Sequence, residues 1–149
     1  MSPGPAAVPK TTNLSTDTSM LKSGILNPAI LSLVARVRHT NTIVIADRGF
    51  PFWPQIETVD ISLVDGKPTV NEVLEALLQS VDMGQAYMAE QYISANDAAV
   101  VNARRNILGS IPLSFEDHET VFKKRVPGAI GLIRTGDTTH YSNIILVSA

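Results

Sequence analysis

Behind Asn27-Pro28, apolar residues recur at Ile30, Leu33, Val34 and Val37. This i, i+3, i+4, i+7 spacing predicts an amphipathic helix that starts on an Asn cap with proline in its first turn and ends near Arg38. Thr42–Ala46 (TIVIA) is a β-branched run without alternation, the pattern of a strand covered on both faces. Val59–Val64 (VDISLV) alternates and reads as a strand turned at Asp65-Gly66. Thr69 and Glu72 have capping-box spacing, and Val70, Val73, Leu74, Leu77, Leu78 and Val81 form the apolar stripe of the helix behind them. The stretch 86–92 fits a strand or a helix, and Asp97–Leu108 is a helix closed by Gly109. Ile111–Phe115 is a short strand. Ser114 is placed to cap a helix with acidic residues in its first turn, Lys123, Lys124 and Arg125 in its last, and Pro127-Gly128 as its stop. Strands over 129–135 and 143–147 complete the chain. Strands alternating with helices predict an α/β fold, a three-layer α/β/α sandwich around a central mixed sheet of about five or six strands.

Residues 1–19 break the pattern. They are rich in Pro, Ser, Thr and small residues, with Val8 and Leu14 the only sizeable apolar groups, which predicts a flexible tail ahead of one domain over 20–149. The 149 residues carry 12 basic and 14 acidic side chains, a net charge of −2, and only 17% charged residues. A mean hydropathy of +0.12 is high for a small monomer, which has to keep much of its surface in water, so self-association is expected. With no basic stripe there is no footprint of a nucleic-acid binder. The absence of cysteine rules out disulfides, thiolate metal sites and a thiol nucleophile. No apolar run approaches the ~18 residues of a membrane span, and no signal-type hydrophobic region opens the chain, so a cytoplasmic protein is expected.

Familiar catalytic motifs are missing. There is no GxGxxG, no phosphate loop around Gly66-Lys67-Pro68, and no GxSxG elbow. His118-Glu119 opens like a zinc-protease motif, but residue 122 is Phe, and no metal site is predicted. The remaining candidates are polar residues in loops at strand ends, where α/β proteins place their sites. They are His39, Asp47, His118, and His140, Tyr141 and Asn143 of the last loop. On residue type alone, Asp47 ahead of Arg48-Gly49 could equally fix a turn. Asn143 could start a strand and Tyr141 could be core.

A specific resemblance lies in these segments. His39-Thr40-Asn41-Thr42 before an apolar strand, then Asp47 and Gly49-Phe50-Pro51, resembles the opening of the RbsD/FucU family, the D-ribose pyranases and fucose mutarotases. The likeness continues through VDISLVDGKPTVNEVLEAL (59–77), Met88-Ala89-Glu90 and IRTGDTTHYSNIIL (133–146), covering about residues 20–148. HTNT and VDISLVDGKP look more like the ribose pyranase branch. The resemblance implies an enzyme that interconverts cyclic forms of a free monosaccharide without a cofactor, within a ring-shaped homo-oligomer, often a decamer.

It further implies that His39 is the catalytic histidine and that Asp47, Tyr141 and Asn143 bind the sugar. His118 matches a binding histidine that pyranases carry as His-Glu-x-Phe; here the spacing is His-Glu-x-x-Phe, one residue longer. His140 stands where pyranases commonly have Pro and inherits no role. Histidine suits ring opening because its ordinary pKa of about 6.5 lets it exchange protons near neutrality. Eight residues of largely extended chain separate His39 from Asp47 by up to ~26 Å, so a site containing both is expected to draw His39 from a neighbouring subunit. Phe50, Phe52 and Trp53 fit a pocket wall or a subunit contact equally well.

Overall fold

A computed structural model describes residues 24–149; the tail expected over 1–19 and the domain start at residue 20 lie outside them. Asn27 accepts a hydrogen bond from the Ile30 N–H (3.0 Å) and caps helix α1 (Pro28–Ala35), which closes on Arg36, slightly short of the expected end. Strand β1 is Thr42–Ala46. Strand β2 is Glu57–Asp60, two residues ahead of its expected start at Val59. It also ends early, at Asp60, whose carboxylate accepts from both the N–H and the hydroxyl of Ser62, a turn that stops the expected alternation through Val64. The Thr69/Glu72 capping box opens α2 (Val70–Leu78). The ambiguous stretch divides into β3 (Met83–Ala89) and a short helix α3 (Gln91–Ala95). Helix α4 is Ala98–Leu108, capped by Asp97 and ended by Gly109 at φ +59°.

Ser114 is not a cap. It lies inside β4 (Leu113–Glu116), and Asp117 takes the capping role by accepting from the Thr120 N–H (2.9 Å). The next segment is a π-helical turn (His118–Phe122), running into α5 (Lys123–Arg125) and a 3₁₀ turn (Val126–Gly128). Strands β5 (Gly131–Arg134) and β6 (Ile144–Ser148) follow.

The sheet order is β2-β5-β1-β6-β3-β4. β2, β5 and β1 pair in parallel, as do β3 and β4, while β6 runs antiparallel to both its neighbours. Alternate side chains feed two cores. Ile43, Ile45, Ile133, Ile144 and Leu146 meet the apolar stripes of α1, α2 and α4 on one face. Val44, Ala46, Leu132 and Ile145 meet Phe50, Phe122, Val126 and Ala129 on the other. The sandwich is therefore three layers deep, with the second outer layer built from the 118–128 segment and the 50–56 loop. Among the described residues no helix is long and apolar enough to cross a membrane.

Candidate functional site

Five strands share one direction, so their C-terminal ends share one edge, and the reversed β6 begins there. The loops leaving β1 and β4 and the loop entering β6 meet at this edge around an open cavity of about 420 Å³. Asp47, Phe50, His118, Asp137, His140, Tyr141 and Asn143 are among its walls.

Asp47 directly follows β1 and is buried. Its Oδ1 accepts from the N–H groups of Gly49 (3.0 Å) and Phe50 (2.9 Å), and its own N–H donates to Asn143 Oδ1 (2.7 Å). It thus fixes a turn and also faces the cavity. Burial pushes its carboxyl above the usual carboxylate range, and nearby Asp137 adds to this; the N–H groups of Gly49, Phe50 and Ser142 oppose it. Arg134, on β5, secures the turn from below by donating to the carbonyls of Asp47, Phe50 and Pro51. Asn143 has spent its oxygen on Asp47, which leaves its NH₂ as the donor for a ligand.

His118 opens the π turn, held by Gln91, which accepts from its N–H (3.0 Å) and donates to Asp117 (3.0 Å). Phe122 lies flat under the imidazole, with ring centres 5.9 Å apart and 17° between planes, while Tyr141 (5.1 Å) and Phe50 (6.0 Å) approach edge-on. The turn is π-helical because the Phe122 N–H reaches back five residues to the Asp117 carbonyl (2.9 Å). Burial holds the His118 pKa below its ordinary value, and Nδ1 is buried with no protein partner.

The last loop is pinned at several points. Asp137 accepts from the first N–H of α2, on Val70 (2.8 Å), and from the Thr139 N–H (2.7 Å). Asn96 donates to the His140 carbonyl (2.9 Å), and Arg104 holds Ser142. Tyr141 sits at φ +56°, a left-handed turn that places its side chain, 38% exposed, over the cavity mouth. Gly136 is obligatory: a Cβ there would lie 2.3 Å from the Val64 carbonyl oxygen and 2.6 Å from that of Lys67.

The structure therefore brings Asp47, His118, Tyr141 and Asn143 to one cavity and leaves His39 outside it. His39 is exposed at the tip of the turn entering β1, at the opposite edge of the sheet. Asn41 closes that turn by accepting from the Arg38 N–H (2.8 Å), Thr40 adopts φ +65°, and the Thr40 N–H bonds the Ser148 carbonyl (3.2 Å). Of the aromatic loop, Phe50 walls the cavity, Trp53 packs against the second core, and Phe52 is exposed away from the cavity. His140, without an expected role, lines the cavity, as does Asp137, which sequence reasoning passed over although it stands in the quoted IRTGD segment. No group of three His, Cys, Asp or Glu among the described residues is arranged to hold a metal ion.

Carboxylate and amide groups set beside aromatic faces, in a half-open cavity at a strand-end edge, make this an α/β protein with a candidate small-molecule site rich in hydrogen-bonding groups. The chain belongs to the RbsD / FucU transport protein family, whose model matches residues 20–149. It is 40% identical over 129 residues to a D-ribose pyranase of Geobacillus kaustophilus, spanning 87% of this chain and 93% of that one. A D-ribose pyranase of Cutibacterium acnes is 36% identical over 127 residues (85% and 95%). The solved structure of Bacillus subtilis RbsD complexed with D-ribose superposes with a TM-score of 0.81 at 30% identity, covering 87% of this chain and 98% of that one. A fucose mutarotase of Streptococcus pneumoniae in complex with L-fucose shares the fold (TM-score 0.71, 21% identity, 89% and 98%).

Proposed function

We propose that the chain is an isomerase that interconverts the pyranose and furanose forms of free D-ribose without a cofactor. The observation that carries this reading is the convergence of Asp47, His118, Tyr141 and Asn143, far apart in sequence, on one cavity. The pyranase relatives supply the sugar and the reaction type. Asp47 accepts sugar hydroxyls, the Asn143 NH₂ donates to them, and Tyr141 and Phe50 present flat faces to C–H edges. Neutral His118, with one nitrogen a donor and the other an acceptor, completes the cradle. Three carboxylates line the cavity, and its one arginine, Arg48, is paired with Asp65 (2.7 Å), so an uncharged sugar fits and a sugar phosphate is opposed.

Ring opening removes the proton of the anomeric hydroxyl, breaks the bond from C1 to the ring oxygen and protonates that oxygen. Attack of the C4 rather than the C5 hydroxyl on the resulting aldehyde then closes the furanose, with the two proton transfers reversed. His39 exchanges these protons, reaching the cavity from a neighbouring copy of the chain within a ring-shaped homo-oligomer. The decameric ring and the cytoplasmic setting are part of the same proposal. The test is saturation-transfer NMR on the anomeric resonances of D-ribose, with L-fucose as a second arm. Accelerated pyranose–furanose exchange is expected with D-ribose. Sugar binding without accelerated exchange would leave a sugar-binding protein and sink the enzyme reading; exchange confined to L-fucose anomers would make it a mutarotase.

A further inference from the structure

Arg104, on α4, is 1% exposed, and no carboxylate pairs with it among the described residues. Burial pulls its guanidinium below the usual arginine value, opposed by charge interactions with Tyr92 and Asp137, and the guanidinium also lies 5.2 Å from the centre of the Tyr92 ring. A buried cation without a carboxylate partner is destabilising unless hydrogen bonds offset its desolvation, and an apolar side chain of similar volume often fills a core at lower cost. The retained group is therefore to be understood by what it holds.

Its Nε donates to Asn71 Oδ1 (2.6 Å) on α2, which fixes the plane of the fork. One terminal nitrogen donates to the Ser142 carbonyl (3.0 Å) and touches Met88 Sδ (3.4 Å); the other donates to Ser142 Oγ (2.7 Å). Ser142 is itself 1% exposed and stands between two cavity residues, Tyr141 in its left-handed conformation and Asn143 on the Asp47 N–H. The arginine fork thus grips both the carbonyl and the hydroxyl of the residue that joins them.

We propose that Arg104 is a positioning residue of the sugar pocket, acting through Ser142 to fix the Tyr141 turn and the Asn143 amide. The choice of D-ribose as probe rests on the pyranase reading; the clamp itself does not. Arg104→Met, which keeps length and apolar volume, is compared with Arg104→Lys and with Ser142→Ala. For Arg104→Met the expected result is a rise of about tenfold or more in the D-ribose Kd and KM, with kcat changed by less than about threefold, because ligand-binding groups are misplaced while His39 is untouched. Hydrogen exchange at the Asp47 amide should quicken about tenfold while β1 and β6 amides stay protected. Lys, which can reach one Ser142 acceptor, should recover part of both losses, and Ser142→Ala should shift both in the direction of Arg104→Met.

Wild-type Kd and Asp47 protection in Arg104→Met would overturn the proposal, as would uniformly faster exchange with unchanged Kd. If Arg104→Met does not fold, Ser142→Ala decides, and wild-type behaviour there overturns it equally. A wild-type protein that fails to accelerate ribose exchange removes the pyranase reading alone, and the clamp is then decided by Kd and amide exchange.

Discussion

His39 and the cavity lie at opposite ends of β1, and this makes a sharp prediction for mixed oligomers. β1 is five residues long, which puts its ends about 13 Å apart before the flanking turns are added, too far for one pentose to touch both within a chain. Take two single variants. His39→Ala removes the group proposed to exchange protons and should cost ~10²–10⁴-fold in exchange rate. Asp47→Asn keeps an acceptor for the Gly49 and Phe50 N–H groups but removes the charge proposed to bind sugar hydroxyls, a loss of about 1.5–3 kcal/mol or roughly 10–150-fold. When the two are dissociated, mixed in equal amounts and reassembled, a site is intact if its His39 comes from an Asp47→Asn chain and its cavity from a His39→Ala chain. Random assembly makes that about one site in four, so the mixture should recover about a quarter of wild-type activity. Wild type mixed with the double variant should also give about a quarter, whereas a site contained in one chain would give about a half. The assay is saturation-transfer NMR on D-ribose, with sedimentation to confirm equal oligomer size. Activity of the single-variant mixture at the mean of its parents, in properly reassembled oligomers, would refute the shared site.

The remaining predictions concern stability, pH and specificity. Gly136→Ala forces two carbonyl oxygens away from a Cβ 2.3 and 2.6 Å distant and strains the Gly136 N–H bond to Pro68. Overpacking and a weakened hydrogen bond should together cost about 2–4 kcal/mol, read as a lowered urea midpoint; a wild-type midpoint would show the contact relaxes freely. Because burial lowers the folded-state pKa of His118, the unfolded chain binds its proton first as pH falls. The His118 contribution to stability is then complete above about pH 6.5 and is lost as pH falls through the folded value, so His118→Gln should flatten the urea midpoint between about pH 5 and 7. An unchanged slope would contradict the assigned cause. D-Ribose 5-phosphate should bind at least about tenfold more weakly than D-ribose in competition, since its charge meets Asp47 and Asp137. Equal affinity would mean that Arg48 leaves Asp65 to bind phosphate.

The parts of this molecule that were legible in its sequence are those decided locally. The Asn27-Pro28 start, the TIVIA strand and the Thr69/Glu72 box stand where their residues predict because caps and apolar periods act within a few positions. The strand expected at Val59–Val64 starts earlier and ends at Asp60, because a side-chain turn to Ser62 outcompetes the continued alternation. The expected cap moved from Ser114 to Asp117 because Ser114 is needed in the ladder with β3. At the site, loop position and motif together singled out the four cavity residues. The buried network beneath them was not foreseen, although Arg104 left a trace: it lies in register with Val101 and Leu108 on the buried face of α4, a charge where the helical period calls for an apolar residue. Asp137 stands in the IRTGD motif, but its burial depends on α2 presenting the Val70 N–H from far away in the chain.

The π turn under His118 separates chain length from geometry. In an α-helix, residues three and four apart already share one face, so the spacing of His118 and Phe122 suits a regular turn as well. The hydrogen bond from the Phe122 N–H to the Asp117 carbonyl instead holds a single wide turn, and within it the two rings stack. Where the imidazole sits is therefore set by the width of this turn as well as by the number of residues between the two rings.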